Sequence, residues 1–273
     1  MPNVPPADRK PQRRMRSLKK NKQIGGSTIH VATRRWWPLF LGPVVAAFII
    51  GFVWPFFQGI YLSFCSFKTV SNATFVGLQN YIKAFSDVSF RHAFWYTALF
   101  AVTGLVIINI AAFAVAYALT KGIRGSNLFR TVFFMPNLIG GIVLGYIWSM
   151  IFDGILSRFN TSIMVNAKFG FWGLIILVAW QQIGYMMIIY IAGLQAVPGD
   201  ILEAADIDGA TGWQTLFRVI IPNVMPSITI CMFLSLTNGF KLFDQNLALT
   251  AGQPFMIQPD GTTVKQTEML ALN

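Results

Sequence analysis

Side chains able to do chemistry are sparse in this 273-residue chain. There is no G-x-x-x-x-G-K-[ST] phosphate loop, no G-x-S-x-G nucleophile turn and no cluster of His, Cys, Asp and Glu at metal-ligand spacing. Cys65 and Cys231, like His30 and His92, stand isolated, so neither a disulfide framework nor a metal site nor a catalytic residue is expected. Three polar groupings remain, each set among apolar residues. The first is the acidic stretch GDILEAADIDGATGWQTLFRVIIPNVMPS, residues 199–227, with four acids and one base. The second is Trp180, Gln181, Gln182 and Tyr185; the third is Asn238, Gly239, Lys241 and Asp244. Their chemistry is recognition: carboxylates that meet a basic surface, and carboxamides, a phenol and an ammonium that hydrogen-bond a hydroxylated solute.

The elements that position them are apolar runs. Apolar residues make up 55% of the chain and charged ones 11%, with 25 Phe and 8 Trp, a balance that points to a membrane protein. No Asp, Glu, Lys or Arg occurs in windows 36–67, 92–120, 131–152, 169–199 and 219–240. Each is long enough for the roughly 20 residues that carry a helix across about 30 Å of hydrocarbon. Five such runs in succession argue against a soluble bundle of buried helices. The expected fold is all-α, a polytopic transmembrane bundle with spans near 37–65, 93–120, 128–152, 170–195 and 223–247.

Residues 1–35 are of another kind, Pro-rich, with ten Lys or Arg against the single acid Asp8 and no apolar period. Such a tail is expected to be disordered, and it is no cleavable signal, because the run from Trp36 is too long and no cleavage site follows a short core. Basic flanks stay on the cytoplasmic side, so the N-terminus and the 121–130 loop (Lys121, Arg124, Arg130) are expected inside. The net charge of +11 belongs mostly to the tail and suits an anionic membrane leaflet; no basic stretch interleaved with aromatics suggests nucleic acid. Two regions follow: the tail, 1–35, and a transmembrane domain, 36–273.

Within that domain, Pro55 is expected to kink the first span, the segment after it to form a small external platform, and Pro136 with Asn137 to break or kink the third helix. Gly141 and Gly145 form a G-x-x-x-G pair suited to close helix packing. Gln181 and Gln182 read either as interhelical hydrogen-bonding glue or as a polar pathway with Trp180 as a stacking face. On a helix, 181 and 185 share a face from which 182 is turned by about 100°. Lys241 and Asp244, at i and i+3, read either as an ion pair or as pathway lining. In the acidic stretch, Asp200 with Glu203 and Thr211 with Gln214 are candidate capping boxes, Asp208-Gly209 is a turn, and Pro222 and Pro226 lead into the fifth span. The loop, about 198–222, therefore reads as helix, turn, helix, with Ala204 and Ala205 making a small patch beside the carboxylate of Glu203. It suits docking, though a purely structural connector would be capped too.

The same stretch, EAADIDGATGWQTLFRVIIP, resembles the signature loop of bacterial ABC-importer permeases: E-A-A, three residues, G, nine residues, I-x-L-P. Glu203, Ala204, Ala205, Gly209 and Pro222 match, Val219 and Ile221 stand for Ile and Leu, and Asp208 and Ala210 complete the form similar to carbohydrate-type permeases. FVGLQNY, MPNLIGGIVLGYIW and FDQNLALTAGQP also look like family segments, so the resemblance covers about 36–255. It implies that Glu203, Ala204, Ala205, Asp208, Gly209 and Pro222 belong to a coupling loop seated on a dimer of cytoplasmic ABC ATPases. ATP and Mg would be bound by those partners, and this subunit would need no cofactor. The other implied partners are a homologous second permease subunit, an extracytoplasmic solute-binding protein, a carbohydrate and the lipid of a bacterial-type cell membrane. Sugar contacts would fall, by region, on Trp180, Gln181, Gln182, Tyr185, Asn238, Gly239 and Lys241. The resemblance also implies a sixth span after the LTAGQP segment, which the sequence does not show. A sugar-phosphate or polyol permease is the alternative in the same class. A secondary carrier or channel would leave the docking loop unused, and a membrane scaffold would leave the intramembrane polar residues unexplained.

Overall fold

The computed structural model describes residues 36–69, 72–259 and 261–273. The basic tail 1–35, for which composition predicts disorder, lies outside the described residues. Among the described residues five helices are long and apolar enough to cross a membrane, and the protein is an all-α, multi-pass bundle as the sequence predicts. By internal packing the described residues divide into two compact units, one up to Ile82 and one from Lys83 onward.

In the first unit, helix α1 runs from Trp36 to Ser63. Its centre, Ile49–Val53, widens into a π-turn. Pro55 follows at once, and the cause is local: proline has no N–H for the carbonyl four residues back, and its ring crowds that carbonyl. Phe48, Phe52 and Phe56 stack in a row along the helix, with centroids 5.2 and 6.2 Å apart. Beyond α1, strands β1 (Cys65–Ser66) and β2 (Thr74–Phe75) pair antiparallel. Asn80 Nδ2 donates to the Ser63 and Cys65 carbonyls at 3.0 and 2.9 Å and closes the hairpin against the helix end. The segment for which an external platform is expected thus folds as a hairpin closed on the end of α1.

Helix α2, Gln79–Ser86, leads into the second unit. There α3 spans Val88–Thr120, capped by Asp87, whose carboxylate accepts from the Ser89 N–H at 2.9 Å. Helix α6, Ala167–Gln195, is capped likewise by Asn166. Of its most apolar stretch 67% is buried, against 33% for α3, so α6 is the central helix of the unit. Phe100, Ile108, Ala112 and Ala116 of α3 share one core with Leu174, Leu177, Val178 and Met187 of α6. Lipid is as apolar as these side chains, so cohesion must come from close packing and interhelical hydrogen bonds. One buried network supplies the latter: Tyr190 OH donates to Asn109 Oδ1 at 2.7 Å, and Asn109 Nδ2 donates to Ser235 Oγ at 3.0 Å. It ties three spans together.

The third apolar run is not one helix. Helix α4 (Ser126–Phe134) gives way to a 3-10 turn (Met135–Leu138), and α5 starts at Gly141 and continues to Leu156. Pro136 and the extended Gly140 make the break, so the spanning helix begins at Gly141, ten residues after the apolar window opens at 131. The last span also differs from expectation. Helix α8 runs unbroken from Gly212 to Phe240 instead of from about 223 to 247. The helix continues through Pro222 and Pro226; a π-turn at Thr215–Ile220 precedes Pro222, and Asn223 Nδ2 donates to the Val219 carbonyl at 2.7 Å. The chain between α6 and α8 forms α7 (Gly199–Ile207). After α8 a turn leads to the short α9 (Asp244–Leu249) and a hairpin of β3 (Phe255–Ile257) with β4 (Thr263–Lys265).

Helix α9 rests on α5 in the recess of the predicted G-x-x-x-G pair. A Cβ on Gly141 would come within 2.9 Å of Asp244 and Gln245, and one on Gly145 within 2.5 Å of the Ala248 Cβ. Only glycine admits so close an approach. The consequence is positional: Asp244 and Gln245 are held against the broken start of α5.

Candidate functional site

Around that break lies a cavity of about 380 Å³, lined by Asn137 of the 3-10 turn, Gln181, Gln182 and Tyr185 of α6, Asn238 of α8, Lys241 to Phe243 of the following turn, and Asp244 and Gln245 of α9. Gln181 stands at the midpoint of the 29-residue α6. Both glutamines are 8% exposed, and each is hydrogen-bonded, as a buried carboxamide must be. Gln181 Nε2 donates to the Ile139 carbonyl at 3.3 Å, Gln245 Nε2 donates to Gln181 Oε1 at 2.8 Å, and Asn238 Nδ2 donates to Gln182 Oε1 at 3.3 Å. The Ile139 carbonyl is available because the helix ends there. The glutamines hold helices together, as one of the two readings has it, and they also line the cavity.

Of the pathway residues expected from sequence, Gln181, Gln182, Tyr185, Asn238 and Lys241 come together here. Gln182 joins although it is turned from the 181/185 face, because the cavity wraps α6 from the α9 side to the α8 side. Trp180 does not line the cavity; it packs edge-on against Trp148 of α5, centroids 5.5 Å apart. Gly239 does not line it either. A Cβ there would meet Ala101 of α3 at 2.9 Å, so this glycine serves close packing of α8 on α3. The Lys241–Asp244 ion pair is not formed; among the described residues the one ion pair is Lys265–Glu268, at 2.9 Å. Asn137 and Gln245 are lining residues that the sequence reading did not select. Their signals were a carboxamide next to a helix-breaking proline, and one next to Asp244.

The acidic loop forms helix, turn, helix as its residues predict, with one correction. Thr211 and Gln214 make the reciprocal capping box: the Thr211 N–H donates to Gln214 Oε1 at 2.7 Å and the Gln214 N–H to Thr211 Oγ1 at 3.4 Å. Asp200 and Glu203 make none, because α7 already starts at Gly199 with Pro198 at its cap position, leaving Asp200 inside the first turn. There its carboxylate complements the helix dipole instead. Gly209 has φ +73°, the left-handed conformation that ends α7 without steric cost. Glu203, Ala204, Asp208 and Gly209 are exposed and Ala205 is half-buried. Pro222, also exposed, lies in the first turn of α8 after the π-turn. The patch of small residues beside a carboxylate is therefore open on the surface of a short helix, and α8 connects it directly to Asn238.

A multi-pass helical membrane protein with a hydrogen-bonded polar cavity between its spans and a capped, exposed acidic loop joining two of them is built as a transport permease. The chain belongs to the family of binding-protein-dependent transport system inner membrane components, whose model matches residues 110–268. It is similar to a probable starch degradation products transport system permease protein, AmyD, of Thermoanaerobacterium thermosulfurigenes. The two are 40% identical over 246 residues, 87% of this chain and 81% of that protein. It is 31% identical over 235 residues to the multiple sugar-binding transport system permease protein MsmF of Streptococcus mutans, covering 82% and 81% of the two chains. Among solved structures, a bacterial ABC transporter involved in import of the acidic polysaccharide alginate superposes with a TM-score of 0.71 at 18% identity, over 90% of this chain and 85% of that one. A bacterial alginate ABC transporter in complex with an alginate pentasaccharide-bound periplasmic protein gives 0.69 at 17% identity, over 88% and 82%. The fold is thus the fold of these transporter subunits.

Proposed function

We propose that this chain is one of two homologous membrane-spanning subunits of an ATP-driven importer for a sugar or oligosaccharide, seated in the bacterial cell membrane with its N-terminus in the cytoplasm. The observation that carries this reading is the continuity of α8, which joins the exposed acidic loop at one end to the carboxamide-lined cavity at the other. The relatives named for starch products and multiple sugars support a carbohydrate solute. So does the cavity wall, since carboxamides both donate to and accept from hydroxyl groups.

The working cycle follows from two states of the helix bundle. A solute-binding protein outside delivers the sugar to the opened pathway. In the cytoplasm, two ABC ATPases bind ATP and Mg and supply all the phosphate chemistry; this subunit needs no cofactor of its own. Glu203, Ala204, Ala205, Asp208 and Gly209 dock on the ATPase surface, with Pro222 at the base of the loop, so that closure of the ATPases is passed to α8. The bundle then changes the side to which the cavity opens. Gln181, Gln182, Tyr185, Asn238 and Lys241 contact the passing sugar.

The test is ATP hydrolysis by the reconstituted assembly with its binding protein and a panel of sugars, comparing the parent with Glu203→Lys. A sugar that stimulates the parent but not the variant is expected. A variant that stays assembled and as responsive as the parent would remove the loop from the docking role.

A further inference from the structure

The cavity carries two charges of opposite sign that are not paired with each other. Asp244 and Lys241 both line it, yet no ion pair joins them. The rest of the wall is uncharged: five carboxamides from Asn137, Gln181, Gln182, Asn238 and Gln245, together with Tyr185, Leu242 and Phe243. Carboxamides bind hydroxyl groups of any saccharide and do not sort solutes by charge. Sorting by charge falls to the two ionised side chains, both of them exposed on this chain at the cavity.

A neutral polyol satisfies both groups at once, donating a hydroxyl proton to Asp244 and accepting a proton from Lys241. A solute bearing a carboxylate or phosphate gains at Lys241 and loses at Asp244, and a cationic amino sugar does the reverse. Had the pair closed, the two charges would have cancelled and the wall would admit all three.

Resting on the saccharide-import reading, we infer that Asp244 and Lys241 form a charge filter that restricts this pathway to uncharged saccharides, with Asp244 the residue that turns away uronates and sugar phosphates. Because a binding protein imposes its own selection, the filter is tested on the purified two-permease, two-ATPase assembly without it. Direct binding of labelled maltotriose and of trigalacturonate is measured for the parent, Asp244→Asn and Lys241→Gln. Asp244→Asn should raise the uronate-to-maltotriose affinity ratio by about tenfold, and Lys241→Gln should lower it or leave uronate binding undetectable. Asp244→Ser provides a second substitution should the amide disturb α9, and it must shift the ratio in the same direction. A parent that binds both probes equally, or a ratio unmoved by either substitution of Asp244, overturns the filter while leaving import intact. If no saccharide binds and none stimulates ATP hydrolysis, the import reading itself falls.

Discussion

Gln245 reaches from the short helix α9 to the middle of the central span and donates a 2.8 Å hydrogen bond to the side-chain oxygen of Gln181, whose amide nitrogen in turn holds the carbonyl of Ile139. This chain of carboxamides joins three segments far apart in sequence at the point where the third apolar run breaks. Gln181→Leu removes the middle link and leaves Gln245 without its acceptor. Gln245 is half-buried at the cavity, so the loss is that of ordinary hydrogen bonds, about 0.5–1.5 kcal/mol each; the variant should melt earlier in detergent and lose sugar-stimulated ATP hydrolysis. An unchanged melting temperature would show that the link holds nothing.

The contact of Gly145 with Ala248 makes a reciprocal prediction. Gly145→Ala places two methyl groups in one space and should displace α9, lowering the assembly's stability by about 1–3 kcal/mol. Ala248→Gly in the same chain restores room for one of them. Partial recovery of stability in the double variant, measured by thermal unfolding of the purified assembly, is the expected outcome.

The network of Asn109, Tyr190 and Ser235 is open to a double-mutant cycle. Tyr190→Phe and Asn109→Leu should each destabilise the protein, and together by less than their sum, with a coupling of about 0.6–1.7 kcal/mol as for other intramembrane hydrogen bonds. Additive losses would mean that the two side chains act separately.

Sidedness has a direct test. With Cys65 and Cys231 replaced by Ser, single cysteines at the exposed positions Asp206 and Ile257 should react from opposite faces in intact cells: Ile257→Cys with a membrane-impermeant maleimide, Asp206→Cys only after permeabilisation. The reverse pattern would invert the orientation drawn from the basic tail.

Much of this was legible from neighbours in sequence. Thr211 and Gln214 are three residues apart and form their capping box without outside help; Asp208-Gly209 turns because only glycine accepts φ +73° cheaply. Pro136 announced the break in the third apolar run, but not that the regular helix resumes only at Gly141. Where two local signals competed, the stronger won: Pro198 set the start of α7, so Asp200 lost its cap position. Helix α9 was absorbed into the fifth span in the sequence reading because six residues carry little periodicity of their own. What holds it is the recess at Gly141 and Gly145, about a hundred residues away, and no local pattern reports that. For the same reason no local pattern says that Gln245 and Asn137 meet at one cavity, or that Gly239 lies against Ala101 of α3.

Helix α8 has 29 residues, which at 1.5 Å each give an arm about 43 Å long. A tilt of about 10° at one end of such an arm carries the other by about 7 Å, more than the 5.4 Å pitch of one helical turn. On the coupling reading proposed above, gearing of that kind would let a modest movement of the acidic loop, passed to the Gly212 end of α8, be felt at Asn238 as the difference between a seated and a released hydroxyl group. It also sets where slack is harmful: the π-turn at Thr215–Ile220 and the two prolines lie close to the loop, in the first half of the arm, while the run from Ser227 to Phe240 is regular helix. Irregular backbone is confined to the half of α8 next to the acidic loop, and the half that reaches the cavity is regular.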